Sequence, residues 1–248
     1  IISSLFYGTI QSALFTLLAV YATSMNFTIL EISIVTFLLA VSGAVAQFPV
    51  GKVSDIYDRR KVIVFSTFGA AIFAIVAIFV SRQMYLPGGL ATSKTWFYIF
   101  FILFSFCSLP MFSLILAHTN DFISKDKFVA AGAGLQFAFG LGAMSGPFLC
   151  SIFMDLTGPN GFFVFLFIFH TFIGLFGIYR MKVRKSVDNP DSQFVAMPQT
   201  ITPAGIELNP TTEHIEEPYS EKVKEILERK GVKYKKEVND DKIDEQAY

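Results

Sequence analysis

The chain has 248 residues, of which 53% are apolar, 29 are Phe and only 16% are charged. Soluble domains usually carry about 25% charged residues, so the composition excludes an ordinary water-soluble globule and puts lipid first. A formal net charge of zero conceals a division: residues 1–185 hold 12 Lys/Arg against 6 Asp/Glu, whereas residues 186–248 hold 8 against 14.

Six runs free or nearly free of charge follow one another at 3–24, 29–50, 62–81, 95–117, 129–154 and 162–179. Each has about the 20 residues that a helix needs to cross a ~30 Å hydrocarbon core. Strands do not fit, because the runs are continuously apolar and barrel strands alternate over only ~9–11 residues. Backbone groups in lipid must be bonded internally, which leaves helices. The competing reading, a large soluble helical core, would leave six helices without a polar face for water. The expected fold class is therefore an all-α membrane protein, with six transmembrane helices in residues 1–185 and a soluble, largely disordered tail in 186–248.

In the first run, Tyr7 and Gln11 lie four residues apart on one helix face. Asn26-Phe27-Thr28 matches a glycosylation sequon, but hard against the membrane, where chance explains it. Glu31, near the outer end of the second run, is expected to reach headgroups or water. The loop after that run reads Gln47-Phe48-Pro49-Val50-Gly51-Lys52-Val53-Ser54-Asp55-Ile56-Tyr57-Asp58-Arg59-Arg60-Lys61. Gly51 lets the helix end approach a neighbour closely. Asp55 can accept hydrogen bonds from the amino end of another helix, whose dipole favours an anion. Arg59 and Arg60 can pair with carboxylates and hold the loop on one side of the membrane. The plainer alternative is a basic turn that only sets topology.

The fourth and fifth runs bring Ala117-His118-Thr119-Asn120-Asp121, then Phe128-Val129-Ala130-Ala131-Gly132 and Gly140-Leu141-Gly142-Ala143-Met144-Ser145-Gly146-Pro147. Gly142 and Gly146 put two missing side chains on one face, where another helix can pack closely. Pro147 removes a backbone donor and can bend the helix. Gln136 is the polar residue of this run, and His170 lies at mid-depth in the sixth. Four prolines (190, 198, 203 and 210) punctuate the tail, and one short amphipathic helix is expected over 220–230. A docking module is the alternative reading of the tail.

Loop charge sets the orientation. Lys52, Arg59, Arg60, Lys61, Lys125, Lys127, Arg180, Lys182, Arg184 and Lys185 fall on one side, and only Arg82 and Lys94 on the other. Basic loops stay inside, so both ends of the six-helix unit are expected in the cytoplasm, with the protein in the cytoplasmic membrane. Cys107 and Cys150 sit inside apolar runs at no metal or redox spacing. There is no Walker loop or dinucleotide glycine pattern. The three histidines are scattered, and the basic residues form membrane rims rather than a nucleic-acid stripe. No cofactor, metal, nucleic acid or catalysis is expected.

In their spacing, Gly51, Asp55, Arg59 and Arg60 resemble the cytoplasmic loop signature of the Major Facilitator Superfamily: a glycine, an aspartate four residues on, then a basic pair. Ile56 stands where that family usually has a basic residue, and Asp58 where it usually has glycine. The segments from Ala117 to Pro147 resemble the last three helices of the superfamily's YcaD-type bacterial branch, so the likeness covers about residues 5–185. It implies the carboxy-terminal six helices of a twelve-helix permease; a first half followed by a central loop is the other arrangement it allows. Chain position Ile1 and the absent partner half fit a fragment. The resemblance further implies that spans one and five line a solute cavity, which makes Tyr7, Gln11 and Gln136 candidate substrate contacts. Helix packing is their other reading. His170 falls on a span outside that cavity and reads first as structural.

The expected function is secondary transport of a small solute by alternating access, with or without a coupling proton or ion. The expected partners are the solute, the bilayer and the missing amino-terminal six-helix half. A non-transporting membrane scaffold or sensor whose tail recruits a partner is the alternative.

Overall fold

Long charge-free segments can satisfy their backbone groups in hydrocarbon only by bonding within themselves, and the chain does so throughout its body. The computed structural model describes residues 1–84, 90–123, 127–183, 194 and 196. It contains α1 (Ile2–Ser24), α2 (Ile29–Ile56), α3 (Arg59–Gln83), α4 (Leu90–Ser108), α5 (Met111–Asn120), α6 (Phe128–Thr157) and α7 (Gly161–Val183). Among the described residues there is no strand, and six helical spans are long and apolar enough to cross a membrane. The tail expected over 186–248, apart from Phe194 and Ala196, and its helix at 220–230 lie outside the described residues.

Helix ends and run ends differ for a physical reason. Charge marks where hydrocarbon stops, whereas a helix continues into water until a cap or turn stops it. Thus α2 continues past residue 50 to Ile56, and α3 begins at Arg59 rather than 62. The start of α2 is a capping box: the Thr28 hydroxyl accepts from the Glu31 N–H, and the Glu31 carboxylate accepts from the Thr28 N–H at 2.7 Å.

The fourth span is not the single helix expected over 95–117. Ser93–Asn120 is one apolar span made of two helices, α4 and α5, which break at Leu109–Pro110. Pro110 has no N–H to continue the ladder, and its ring clashes with the carbonyl four residues back.

The helices pack as two trios. One comprises α1, α6 and α7, the other α2, α3 and the α4–α5 span, and the trios are joined mainly where α3 lies along α7. Phenylalanine fills the centre: Phe97, Phe101 and Phe104 of α4 meet Phe162 and Phe163 of α7 and Tyr21 of α1, all fully buried. Each aromatic ring brings a large contact area, which matters where lipid supplies no hydrophobic drive between helices.

The closest seam is between α1 and α6. A Cβ at Gly142 would strike the Leu5 carbonyl, one at Gly146 the Thr9 carbonyl and Ser12 Oγ, and one at Gly8 the Phe139 carbonyl. Small residues on both helices therefore let the two backbones touch, and Ser4 Oγ adds a hydrogen bond to the Leu135 carbonyl at 2.7 Å. Helix α6 continues through Pro147 to Thr157. Because backbone, not a flexible side chain, faces Gly142, Gly142→Val should cost about 1–3 kcal/mol through overpacking. Thermal unfolding in detergent should show the loss. An equally large loss in Gly134→Val, at a site open around its Cα, would mean helix propensity rather than the seam was responsible.

Candidate functional site

The turn from α2 to α3 consists of Tyr57 and Asp58 alone. Asp58 makes it possible by capping: its carboxylate accepts from the Arg60 N–H at 3.0 Å and from the Arg60 guanidinium at 2.7 Å. With φ at −52° the position needs no glycine. Asp58, where the resembled signature usually has glycine, thus keeps the turn short by capping.

Arg59 is the hub of this end of the bundle. Its side chain is 6% exposed, and its guanidinium donates to Asp121 Oδ1 at 2.7 Å, to the Ala117 carbonyl at 3.1 Å and to Asp55 Oδ1 at 2.9 Å. Those acceptors belong to the end of α2 and to the end of α5, so one residue at the start of α3 fastens three elements. Ala117 lies in the last turn of α5, where the helix dipole favours a cation. The planar fork of Arg reaches three acceptors in fixed directions, which a Lys ammonium does not match. Burying the guanidinium is tolerable because all three are present.

Asp55 has a second donor, and it is not a helix amino terminus. The backbone N–H of Phe194 donates to Asp55 Oδ1 at 2.8 Å. One turn earlier on α2, the Phe194 ring fills the space that a Cβ at Gly51 would need. At Gly51 the close neighbour in this chain is an aromatic ring from beyond the last span.

The break in span four is a second polar centre. Tyr7 is fully buried, and its hydroxyl donates to the carbonyls of Ser108 and Leu109 at 3.2 and 3.1 Å. In an unbroken helix those carbonyls would serve the N–H groups of Phe112 and Ser113. Ser108 Oγ lies 2.9 Å from His170 Nε2, and His170 Nδ1 lies 2.7 Å from the Leu166 carbonyl. A carbonyl can only accept, so Nδ1 carries the proton and Ser108 donates to Nε2. A polar thread thus joins α1, α4 and α7 at the break, and His170 belongs to it, fully buried with Phe104 edge-on.

Of the three residues read as substrate contacts, Tyr7 has a structural task at the break. Gln11 is buried on α1 and Gln136 is half-buried on α6. Tyr7→Phe keeps the ring and removes the hydroxyl, leaving two carbonyls in an apolar interior; the expected destabilisation is about 1–3 kcal/mol. Thermal unfolding of the purified protein checks this. Unchanged stability would detach Tyr7 from the break.

At the opposite end, Glu31 does not simply reach water. Its carboxylate pairs with Lys94 at 2.7 Å, and the Lys94 ammonium stands 4.8 Å from the Phe27 ring centroid. One of the two basic residues on that side is therefore held in an ion pair, which sharpens the charge contrast between the ends.

Asp121 and Phe194 belong to the first centre but are not among the site residues predicted from the sequence. Asp121 carried a signal, as one of 6 acidic residues in 1–185, set at the end of a span on the basic side. Phe194 carried none.

A family model described as Major Facilitator Superfamily matches residues 1–230. Among curated relatives, an uncharacterized MFS-type transporter of Yersinia enterocolitica is 23% identical over 77% of this chain and 44% of its own length. The uncharacterized MFS-type transporter YfkF of Bacillus subtilis is 26% identical over 64% of this chain and 38% of its own length. One from Methanocaldococcus jannaschii is 27% identical over 71% and 42%, respectively. The chain thus spans less than half the length of the curated relatives it matches. No solved structure matches.

Proposed function

This chain belongs to the Major Facilitator Superfamily, and from that premise we propose that it forms one six-helix half of a secondary transporter, the carboxy-terminal half of a permease of the YcaD-type branch. A small solute binds near the bilayer midplane between this half and a second one, and the halves rock around it. That mechanism is carried over from transporters of which this superfamily is itself a standard example. No covalent step is involved, so the chain acts as a moving wall and not as an enzyme.

The observation that carries the reading is the Arg59 hub. It makes the α2–α3 turn and the end of span four one rigid piece, with Asp55 at its surface, its side chain 36% exposed. A carboxylate so placed can receive the amino end of a helix from the other half and hold that side of the cavity shut. Gln11 and Gln136 are the proposed solute contacts on α1 and α6. Tyr7 shapes the same wall through the break, where two short helices can change their angle without breaking a continuous ladder.

Ten basic residues against two support an orientation with the Arg59 end in the cytoplasm and the Glu31–Lys94 end outside the cytoplasmic membrane. Single cysteines at the exposed positions Ser24 and Tyr57, in a background without Cys107 and Cys150, test this in intact cells. A membrane-impermeant maleimide should modify position 24 and spare position 57. Labelling of position 57 from outside would overturn the orientation. Solute uptake by vesicles containing the full-length protein, absent from vesicles without it, tests transport itself.

A further inference from the structure

Gly51 and Asp55 lie one helical turn apart near the end of α2, and a single residue from beyond the last span sits on both. The Phe194 N–H donates to Asp55 Oδ1 at 2.8 Å. Its half-buried ring packs on the apolar core at Gly51. We propose that the Gly51–Asp55 step is a docking site for an aromatic residue presenting its backbone N–H, that Phe194 is its resident, and that docking opposes closure of the Arg59 end. This rests on the reading above, in which Gly51 and Asp55 receive a helix end from the other half.

Competition follows from space and from charge. Glycine at 51 matters because it removes the first side-chain atom from the face of α2, which is what allows a second backbone to come close. The Phe194 ring now occupies that opening, and a ring and a helix end cannot both stand there. Asp55 Oδ1 already accepts from Arg59 and from Phe194, so an approaching helix N-terminus meets a carboxylate whose charge is shared by two donors. Docked Phe194 therefore favours the state open at the Arg59 end, and its release favours the closed one. The occupant belongs to the same chain, so its local concentration is fixed by tethering and the contact needs little intrinsic affinity.

Hydrogen exchange of the full-length protein in lipid nanodiscs reads the docking directly. The Phe194 amide should exchange at least about tenfold more slowly than an unbonded amide, the factor for one charge-assisted hydrogen bond. Asp55→Ala removes the acceptor and Gly51→Ala puts a methyl into the ring's place, and each should abolish the protection. Using both keeps the result interpretable if one variant folds poorly. Competition is read separately, with a cysteine at Gln136 and a maleimide supplied from the cytoplasmic side. Phe194→Ala keeps the N–H but removes the ring, and should lower that reactivity roughly fivefold or more. Rapid exchange at Phe194 in the unmodified protein overturns the docking; protected exchange with unchanged reactivity in Phe194→Ala overturns the competition. A full-length protein that moves no solute would end the transporter reading, while the exchange result would still decide whether Phe194 docks.

Discussion

Arg59→Ala is expected to destabilise the protein by about 3–5 kcal/mol, the usual cost of removing one partner from a buried ionic group. Asp121 is 12% exposed and loses its ion pair with Arg59, while the Ala117 carbonyl loses a charged donor in the last turn of α5. Asp55 contributes the smaller share, because with 36% of its side chain exposed water screens its interaction. The damage should not stay local, since the turn between α2 and α3 would no longer be fastened to span four. Unfolding in detergent should move to lower temperature by on the order of 10 °C. Arg59→Lys should recover only part of this, because an ammonium cannot present the same fork to three acceptors. An alanine variant as stable as the parent would show that the hub is an incidental contact.

How much of the fold and site is legible in the sequence depends on the reach of each signal along the chain. The six spans were legible because charge is expensive in hydrocarbon, at least about 2.5–3.5 kcal/mol per residue at a helix centre. The Gly142–Gly146 face was legible because its spacing is local. Its partner was not: Gly8 is the only glycine in α1, and nothing in a single sequence joins it to Phe139. Pro110 was visible, yet the apolar run passes through it unchanged, and hydropathy does not register a lost N–H. The cluster at the α2–α3 turn was half legible. Asp55 and Arg59 stand four apart within one local motif, whereas Asp121 lies 62 residues from Arg59 and Phe194 139 from Asp55. Long-range pairs of this kind are set by how helices pack, which periodicity and composition do not encode. Tyr7 illustrates the same limit: its position allows a solute contact or helix packing, and only the break in span four shows what its hydroxyl holds.

The central claim is that Asp55 at the surface of this hub controls access to the cavity, and Asp55→Asn in the full-length protein tests it most directly. Asparagine keeps the shape and can still accept from Arg59 and Phe194, so the α2–α3 turn should survive and the protein should insert normally. What is lost is the negative charge. Hydrogen bonds to charged groups contribute about 1.5–3 kcal/mol, and a helix dipole adds roughly 0.3–1 kcal/mol. Each ~1.4 kcal/mol is a factor of ten in an equilibrium; the weaker Phe194 bond offsets part of the loss, so the ratio of states should shift roughly severalfold toward the one open to the cytoplasm. Solute flux is to be measured on Asp55→Asn with Gln136 in place, and cytoplasmic maleimide labelling on a separate preparation that also carries a cysteine at Gln136. The account predicts that flux falls while labelling rises. Normal flux with unchanged labelling would contradict it and reduce the α2–α3 loop to a basic turn that only sets topology.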